Sequence, residues 1–384
     1  MTVSIWQSNL PPLREVDFLI VGAGLVGCTA AYFAAQAGRQ VVITDALDVA
    51  LGASSRNAGF MISSVDVYYH HAIAKYGHDV TREIWHLAKH SQALWHEFIN
   101  RAGGTVKFQR TGSLLLAESE AEAEDLAQAA DAMLADDLNI IYHKTDPLKR
   151  GYFAAIEQPD DGAVQPFELV HAILQQSGVS VIPNNELYHI TQHDDKFVTA
   201  YTRMFIFKAR QVLLCTNAYS PRLHPYFINK VVPTRAQCLV TEPLVAPVLN
   251  TCGYSDYGYM YYRMTFDNRL LIGGGRKQNI ALENDTTEDR VTDPVQQVLD
   301  NYLKRHFPDV TVPVSRRWAG IMGFTPDSLP LVGVLPDMPD VGFAVGFTGH
   351  GLSLGAGTSE RAVNMMLYGT HPGALDAKRL EHAV

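Results

Sequence analysis

The stretch Val16-Asp-Phe-Leu-Ile-Val21, followed at once by Gly22-Ala-Gly24-Leu-Val-Gly27, decides the fold of this chain. The first six residues form an apolar run with strand character, and residues 28–37 are rich in small and apolar helix formers. Residues 40–44 predict a second strand, which is followed by Asp45. A strand, a glycine turn, a helix, a strand and an acid within about 30 residues predict a βαβ unit that binds a dinucleotide.

The three glycines of this turn act through the backbone. Gly22 permits the tight turn, Gly24 lets a pyrophosphate approach the main chain, and Gly27 lets the helix pack closely on the strand. Leu25 and Val26 belong to this turn, and the helix that follows presents an N-terminus where unpaired N–H groups and the helix dipole favour an anion. We therefore predict that a phosphate-bearing cofactor binds at this turn.

The residues after the second strand indicate which dinucleotide binds. Asp45, with Ala46 beside it, is placed to accept hydrogen bonds from the ribose hydroxyls of an adenosine. A carboxylate there repels a 2′-phosphate, which disfavours NADP. FAD and NAD are the two cofactors that these residues leave open.

The composition is that of an acidic, well-buried globular protein. The chain has 384 residues, more than the roughly 100–200 of one ordinary domain, so we expect two domains. Hydrophobic residues make up 47% and charged residues 18%, which excludes extended disorder. The formal net charge of −9, without a basic block, argues against a nucleic acid or an anionic membrane as a partner.

Cysteine use and hydropathy predict the compartment. Cys28, Cys215, Cys238 and Cys252 are far apart in the sequence, so we expect neither a disulfide framework nor a zinc site. No apolar run approaches the roughly 18 residues that span a bilayer, and residues 1–12 lack the pattern of a secretory signal. We therefore expect a reduced, cytoplasmic enzyme without membrane contact.

Four segments, taken in order, resemble one family. They are the N-terminal glycine turn, Gly52-Ala-Ser-Ser-Arg56-Asn57-Ala-Gly59, Cys215-Thr-Asn-Ala-Tyr-Ser220, and Trp318-Ala-Gly-Ile-Met-Gly-Phe-Thr-Pro-Asp327 with Gly346-Phe-Thr-Gly-His350-Gly351. The chain resembles the FAD-dependent amine and amino-acid oxidoreductases, the family of D-amino acid oxidase, glycine oxidase and sarcosine oxidase. The sequences Arg-Asn-Ala-Gly and Ile-Met-Gly-Phe-Thr-Pro-Asp within these segments are most similar to the γ-glutamylputrescine oxidase-like branch.

The resemblance implies an α/β fold of the D-amino acid oxidase type. A discontinuous Rossmann-type FAD-binding domain is expected over residues 13–90, 150–225 and 318–384. A sheet-rich α+β substrate domain is expected to be inserted in it, over residues 91–149 and 226–317. We expect the two domains to be woven together, since the sequence contains no low-complexity linker.

The resemblance also implies which residues bind FAD. Arg56 lies in the stretch that the family brings to the isoalloxazine, and the position of Leu187 contacts adenine. The predicted cofactor-binding residues are Gly22, Gly24, Leu25, Val26, Gly27, Asp45, Ala46, Ser54, Ser55, Arg56, Asn57, Ala58, Leu187, Thr216, Asn217, Gly320, Met322, Gly349, His350, Gly351, Leu352 and Ser353.

Three positions depart from the family pattern. Gly320 stands where sarcosine oxidases carry the cysteine that tethers the flavin, so we expect the FAD to be non-covalent. Met322 stands where amino-acid members carry an arginine for the substrate carboxylate. Leu271 stands near the place of a lysine thought to help oxygen reduction, which leaves oxidase and dehydrogenase both open.

The substrate side is marked by a tyrosine cluster before Arg263. If this segment is a strand, Tyr257, Tyr259 and Tyr261 share one face, and an aromatic wall suits an alkylammonium ligand. Arg263 is the alternative cation for a carboxylate, and two roles are open for His350, at the flavin edge or as the cap of a turn. The residues predicted to act in catalysis are Arg56, Tyr259, Tyr261, Arg263 and His350.

The predicted function is FAD-dependent oxidation of the CH–NH bond of a small amine. Hydride passes to the flavin, the imine is hydrolysed, and O2 or another acceptor takes the electrons. The first alternative is an oxidase or dehydrogenase of amino acids of the D-amino acid, glycine or sarcosine type. A non-catalytic flavin-binding module is the second alternative, and an NAD dehydrogenase is weaker because it leaves the C-terminal segment unexplained.

No metal is expected, and the oligomeric state is left open. His86 and His90 are four apart on a predicted helix, but Lys89 beside them indicates a solvated face. The adjacent pair His70 and His71 is likewise given no role. The expected partners are therefore a small-molecule amine and an electron acceptor.

Overall fold

A computed structural model describes residues 11–192 and 197–381 of the chain. Its helices are α1 (Leu25–Gln36), α2 (Ala53–Arg56), α3 (Tyr69–Tyr76), α4 (His78–Arg101), α5 (Glu120–Ala135), α6 (Pro166–Ser177), α7 (Ile280–Glu283), α8 (Asp293–His306) and α9 (Gly351–Tyr368). Within the described ranges, none of these helices combines the length and the apolar character that a membrane crossing requires.

The strands form two eight-stranded sheets and a small third one. They are β1 (Leu13–Val21), β2 (Val41–Thr44), β3 (Phe60–Met61), β4 (Phe108–Gln109), β5 (Ser113–Leu116), β6 (Ile141–His143), β7 (Ala155–Gln158), β8 (Gly162–Val164), β9 (Ser180–Ile182), β10 (Leu187–Gln192), β11 (Val198–Thr202), β12 (Ile206–Leu214), β13 (Val232–Thr241), β14 (Cys252–Ser255), β15 (Met260–Met264), β16 (Leu270–Gly274), β17 (Val314–Phe324), β18 (Leu331–Leu335) and β19 (Met338–Val345).

The first sheet is the predicted dinucleotide-binding sheet. Its strand order is β10-β11-β12-β1-β2-β9, and β19 adds to β12 and carries β18. The pairs β19–β12, β12–β1, β1–β2 and β2–β9 are parallel. The outer pairs β10–β11, β11–β12 and β18–β19 are antiparallel. Val21 pairs with Thr44 at the carboxyl ends of β1 and β2, so the glycine turn and Asp45 lie at one sheet edge.

Strand β1 is buried on both faces, which explains its continuous apolar run. Phe18 and Ile20 point into the core formed with α1, α4, α6 and α9, whereas Leu19 and Val21 belong to the core on the opposite face. Each large apolar side chain that is fully buried in this way stabilises the fold by about 1.5–3 kcal/mol. Helix α1 can approach α9 closely because small residues such as Ala30 and Ala34 face the core.

The second sheet has the order β17-β13-β16-β15-β14-β5-β7-β6. It packs on α8 and its own core, which contains Leu239, Tyr262 and Leu299. Strands β7 and β17 lie in this sheet, although residues 150–225 and 318–384 were predicted to belong to the first domain. The division into two domains remains a prediction, and in it β7 and β17 would be assigned to the substrate domain.

The ends of three helices show how local sequence signals set their limits. Helix α1 begins three residues earlier than predicted, at Leu25. Ser119 caps α5, because its hydroxyl accepts a hydrogen bond from the Glu122 N–H at 3.1 Å. Helix α8 begins at Asp293 after the N-cap residue Thr292, and Pro294 lies in its first turn, where no backbone donor is lost.

Candidate active site

A cavity of about 530 Å³ joins the glycine turn to the second sheet. Its wall contains residues of both large sheets and of the loops that connect them. Most of the residues predicted to bind the cofactor line it: Gly22, Gly24, Leu25, Val26, Asp45, Ala46, Ser54, Arg56, Asn57, Ala58, Leu187, Thr216, Asn217, Gly320, Met322, Gly349, His350, Gly351, Leu352 and Ser353. Gly27 and Ser55 do not line it.

The turn itself is built by two close backbone approaches. Gly22 has φ +111°, and a Cβ added there would lie 2.7 Å from the Cys215 carbonyl oxygen. A Cβ on Gly27 would lie 1.8 Å from the Gly22 carbonyl oxygen, so only glycine lets α1 start this close to β1. The absence of Gly27 from the cavity wall is therefore consistent with its predicted role, which is packing and not ligand contact.

Gly24 and Ser54 meet at the first turn of α1. A Cβ on Gly24 would lie 2.8 Å from Ser54 Oγ. The same hydroxyl oxygen accepts a hydrogen bond from the Leu25 N–H at 2.8 Å. A helix N-terminus that begins at a glycine and lines the cavity fits a pyrophosphate, which the helix dipole attracts.

Asp45 is tied to the turn by its own carboxylate. Oδ2 accepts a hydrogen bond from the Ala23 N–H at 2.6 Å, and Oδ1 accepts one from the Leu47 N–H at 2.7 Å. Burial raises the pKa of Asp45, although these two backbone donors act in the opposite direction. With Leu187 in the same wall, this end of the cavity has the acceptor and the apolar surface that an adenosine requires.

Arg56 lies where β17 of the second sheet meets α2. Its Nη1 donates a hydrogen bond to the Ala319 carbonyl at 3.1 Å, and its own carbonyl accepts one from Trp318 Nε1 at 2.9 Å. A Cβ on Gly320 would lie 3.0 Å from Arg56 Cβ. The guanidinium also pairs with Asp289 at 2.5 Å, so the positive charge predicted beside the flavin is partly neutralised.

The loops beside Arg56 and after β12 are fixed by side-chain amides. Asn57 Oδ1 accepts a hydrogen bond from the Gly59 N–H at 2.8 Å, and Asn217 Oδ1 accepts one from the Gly346 N–H at 2.9 Å. Thr216 Oγ1 lies 2.8 Å from Ser220 Oγ. These side chains therefore shape the cavity wall by bonding the protein's own loops.

The N-terminus of α9 opens into the cavity opposite Met322. His350 is its N-cap residue, and His350 Nδ1 lies 2.9 Å from the Thr348 carbonyl oxygen. A Cβ on Gly349 would lie 3.5 Å from Met322 Sδ, whereas one on Gly351 would meet nothing within 4 Å. This leaves a flat space against a helix N-terminus, which suits a ring that gains negative charge on reduction.

Tyr259 and Tyr261 line the cavity as predicted, but Tyr257 does not. Strand β15 begins only at Met260, and Tyr257 lies in the preceding turn with φ +55°. Tyr259 also precedes β15, so strand alternation does not decide which of these tyrosines reach the cavity; the left-handed turn at Tyr257 directs that residue away from it. Tyr254 of the neighbouring strand β14 completes the aromatic wall, with its ring 5.9 Å from that of Tyr261.

Glycine in β16 makes room for this wall. A Cβ on Gly273 would lie 2.0 Å from Cε2 of the Tyr261 ring, and one on Gly274 would lie 1.9 Å from the Tyr259 carbonyl oxygen. The Gly273–Gly275 run thus brings the two tyrosines to the cavity.

Arg263 lies behind the wall and outside the cavity, which corrects its predicted role as a substrate ligand. Its Nη1 donates to the carbonyl oxygens of Ala58, Gly59 and Val164 at 3.0, 3.1 and 3.0 Å. Burial lowers the pKa of Arg263 to about 10. Arg263 is two residues after Tyr261 in β15 and so lies on the same face of the strand. Its guanidinium is bound to backbone carbonyls, so its role is structural.

Four charged residues of the cavity were missed by sequence analysis: Asp66, Glu186, Arg222 and Arg276. Arg276 follows the Gly274–Gly275 turn after β16, and Asp66 lies in the loop between β3 and α3. A cation directly after a strand and glycine turn was the available signal for Arg276. Nothing in the sequence around Asp66 distinguished it from a surface acid.

The histidines that were considered as metal ligands have separate positions. His90 Nε2 lies 2.6 Å from Glu360 Oε2 on the solvated side of α4. His70, His71 and Asp125 bring one potential ligand atom each within 4.8 Å of one another. Sequence analysis did not pair these three because Asp125 belongs to α5. The expectation that the protein uses no metal stays a prediction.

A Rossmann-type unit whose glycine turn opens into an aromatic-walled cavity defines a dinucleotide-dependent oxidoreductase. Residues 17–365 match the family model described as FAD dependent oxidoreductase, DAO. The chain belongs to this family, and it is an enzyme whose cofactor is FAD. The glycine turn, Asp45 and the small residues at the start of α9 fit that cofactor.

Curated relatives and solved structures extend this likeness along the chain. The chain is 24% identical over 374 residues to the probable oxidoreductase OrdL of Haemophilus influenzae, covering 90% of this chain and 82% of that protein. It is 24% identical over 360 residues to gamma-glutamylputrescine oxidoreductase of Escherichia coli, covering 88% and 80%. Glycine oxidase of Bacillus licheniformis is 22% identical over 366 residues, covering 92% and 94%.

Two solved structures share the fold. L-proline dehydrogenase from P. horikoshii superposes with a TM-score of 0.81 at 21% identity, covering 97% of this chain and 99% of that one. Glycine oxidase from Geobacillus kaustophilus superposes with a TM-score of 0.80 at 21% identity, covering 95% and 99%. The predicted D-amino acid oxidase-type α/β fold is therefore confirmed.

Proposed function

We propose that this enzyme oxidises the CH–NH bond of a small amine. A hydride leaves the carbon next to the neutral nitrogen, water hydrolyses the resulting imine to a carbonyl compound and an amine, and dioxygen finally accepts the electron pair as H2O2. FAD, when bound, supplies the two-electron acceptor for the hydride. The observation that carries the proposal is the continuous cavity that joins the dinucleotide turn to the tyrosine wall.

The residues of the first sheet would hold and orient the cofactor. Gly24, which has no side chain, would let the pyrophosphate approach the main chain at the start of α1, and Asp45 would offer its carboxylate to the ribose. The start of α9, at Gly351 to Ser353, would face the ring with its N–H groups. Gly320, with Arg56 packed against it, would close one side of the ring site.

The residues of the second sheet would receive the substrate. Tyr254, Tyr259 and Tyr261 form an aromatic wall that would exclude water. The rings of Tyr254 and Tyr261 would attract an alkylammonium group, whereas the ring of Tyr259 already contacts Arg276 and Lys277. Exclusion of water protects the hydride transfer step from side reactions. His350 lines the cavity at the N-terminus of α9, where its side chain would contact the cofactor edge.

The relatives support an amine or an amino acid as the substrate. Their names include gamma-glutamylputrescine oxidoreductase, 4-methylaminobutanoate oxidase and glycine oxidase. The amino-acid alternative would use a cation other than Arg263, which is bound to backbone carbonyls. Met322 lines the cavity at the place where amino-acid members carry their arginine, and it favours the amine.

The test is to measure products and electron acceptor together. Purified holoenzyme is incubated in air with alkylamines, N-methylamines, glycine, sarcosine and D-amino acids, while oxygen uptake, H2O2 and carbonyl product are quantified. An oxidase of amines gives one carbonyl and one H2O2 for each O2 consumed. Carbonyl formation only with an added dye would make the enzyme a dehydrogenase, and turnover of amino acids alone would select the alternative substrate class.

A further inference from the structure

The charged side chains that line the cavity differ in whether the protein itself binds them. Arg56 pairs with Asp289, and Arg222 donates a hydrogen bond to Thr287 Oγ1. Within residues 11–192 and 197–381, the side chain of Arg276 makes no such hydrogen bond or ion pair. A buried or half-buried cation that the protein leaves without an acceptor is costly unless a ligand supplies one.

The acids of the cavity show the same contrast. Asp45 accepts two backbone hydrogen bonds, and Glu186 pairs with Arg203 at 3.7 Å. Asp66, half-buried in the same wall, makes no side-chain hydrogen bond or ion pair with any residue in the described part of the chain. Among the described residues that line the cavity, Arg276 and Asp66 are thus the arginine and the carboxylate that the protein leaves without such a partner, and both lie near the tyrosine wall.

Arg276 is held by rings instead of by hydrogen bonds. Its Cζ lies 4.5 Å from the ring centroid of Phe324 and 5.0 Å from that of Tyr259. Contacts of this kind stabilise a guanidinium through its faces and leave its N–H donors free at the edge. A planar fork of free donors matches a carboxylate, which it can bind in bidentate fashion.

Asp66 is half-buried among basic side chains. Burial raises its pKa, while the neighbouring His350, Arg276 and Lys75 act in the opposite direction. A carboxylate beside the tyrosine wall is the complement of an ammonium group. Asp66 also disfavours a dianionic ligand such as a phosphate, so the group that binds Arg276 should carry a single negative charge.

We propose that Arg276 and Asp66 form a subsite for a zwitterionic substrate, with the carboxylate of the substrate on Arg276 and its amino group facing Asp66. The proposal rests on the proposed oxidation of an amine and adds that this amine carries a carboxylate. It also means that the cavity has a cation for a carboxylate although Met322 replaces the family arginine. Simple alkylamines would leave Arg276 without an acceptor and should bind more weakly.

The test separates binding from turnover. The holoenzyme is titrated with acetate, propionate and butyrate, and in parallel with the corresponding amides, while the visible absorption of the flavin is recorded. Wild-type protein should respond to the carboxylates and not to the amides. Arg276→Gln should weaken the carboxylate response at least tenfold, Arg276→Lys should restore part of it, and Lys277→Gln, at the exposed neighbouring cation, should leave it unchanged.

The same variants are then mixed anaerobically with 3-aminopropionate and 4-aminobutyrate, and with the carboxamide of each. Arg276→Gln should remove the preference for the carboxylated partner, and Asp66→Asn should weaken amine binding while it leaves butyrate binding intact. Equal carboxylate binding by wild type and Arg276→Gln, or none by wild type, would overturn the proposal. Carboxylate binding without flavin reduction by any amine would instead overturn the proposed function and leave the anion site standing.

Discussion

The carboxylate of Asp45 accepts a 2.6 Å hydrogen bond from the backbone N–H of Ala23, in the middle of the glycine turn. Asp45, which follows β2, therefore orients the glycine turn that follows β1. The two parts of the dinucleotide site are joined by this hydrogen bond. A charged hydrogen bond of this kind contributes about 1.5–3 kcal/mol. The free carboxylate lone pairs that remain are those available to a ribose.

Asp45→Ala should therefore weaken FAD binding by about ten- to a hundredfold, because it removes both the ribose acceptor and the anchor of the turn. Titration of the apoprotein with FAD, followed by flavin fluorescence, measures the change. Asp48→Ala, which removes an exposed carboxylate three residues away, should bind FAD as wild type does. Equal affinities for the two variants would show that Asp45 does not contact the cofactor.

Gly24→Val should yield folded, colourless protein. The added side chain would enter the space between Ser54 Oγ, 2.8 Å from the Cβ position, and the cavity where the pyrophosphate is expected. The circular dichroism spectrum checks that the protein is folded, and the flavin content per chain checks that it is colourless. Gln36→Val, at the exposed end of the same helix, is the matched control, and a stoichiometric flavin content in Gly24→Val would contradict the placement.

FAD should be bound without a covalent bond. Gly320 offers no nucleophile, and the thiol of Cys215, which lines the cavity beside Gly22, is half-buried, and desolvation raises its pKa. Such a thiol is protonated and unreactive at neutral pH. Precipitation with acid should release all yellow colour into the supernatant as FAD, whereas colour that stays with the pellet would refute this expectation.

Asp161 should make the stability of the protein fall as the pH rises. Burial raises the pKa of Asp161 from 3.8 to about 6, although Ser113 Oγ and the Ser63 N–H donate hydrogen bonds to it at 2.6 and 3.0 Å. The folded state therefore holds the proton more tightly than the unfolded chain, and this contribution is lost between pH 3.8 and about 6.

Thermal unfolding between pH 4.5 and 7 measures this effect. Relative to Asp161→Asn, which cannot ionise, the wild-type Tm should decline by several degrees across that range, since one pKa unit corresponds to about 1.4 kcal/mol. Asp160→Asn removes a half-exposed neighbouring carboxylate and should follow the wild-type curve. Parallel curves for wild type and Asp161→Asn would mean that Asp161 is ionised in both states.

Sequence patterns predicted the dinucleotide unit because all of its determinants are local. Gly22, Gly24, Gly27 and the apolar strand β1 lie within one short stretch, and each has a direct steric or hydrogen-bonding reason. The later cofactor residues, such as Asn217 and Gly320, required the family resemblance because they come from distant parts of the chain.

The substrate side was less predictable because it depends on strand ends and pairing. Tyr257 was placed on a strand that begins three residues later, and Arg263 shares the parity of Tyr261 but meets the carbonyls of a different loop. Arg276 follows two glycines of positive φ at the end of β16, and the pairing of β16 with β15 brings this turn to the cavity. No local pattern reports such contacts between distant segments.

The central claim is that an amine reduces the bound flavin, and the most direct measurement is the visible spectrum of the purified holoenzyme during anaerobic mixing with amines. The protein should show the two absorption bands of oxidised FAD, and these should bleach in a single substrate-dependent phase that air reverses. Gly24→Val protein, without flavin, should show neither the bands nor the change. A wild-type flavin spectrum that stays oxidised with every primary amine, N-methylamine and amino acid in the panel would contradict the account and leave a protein that only binds FAD.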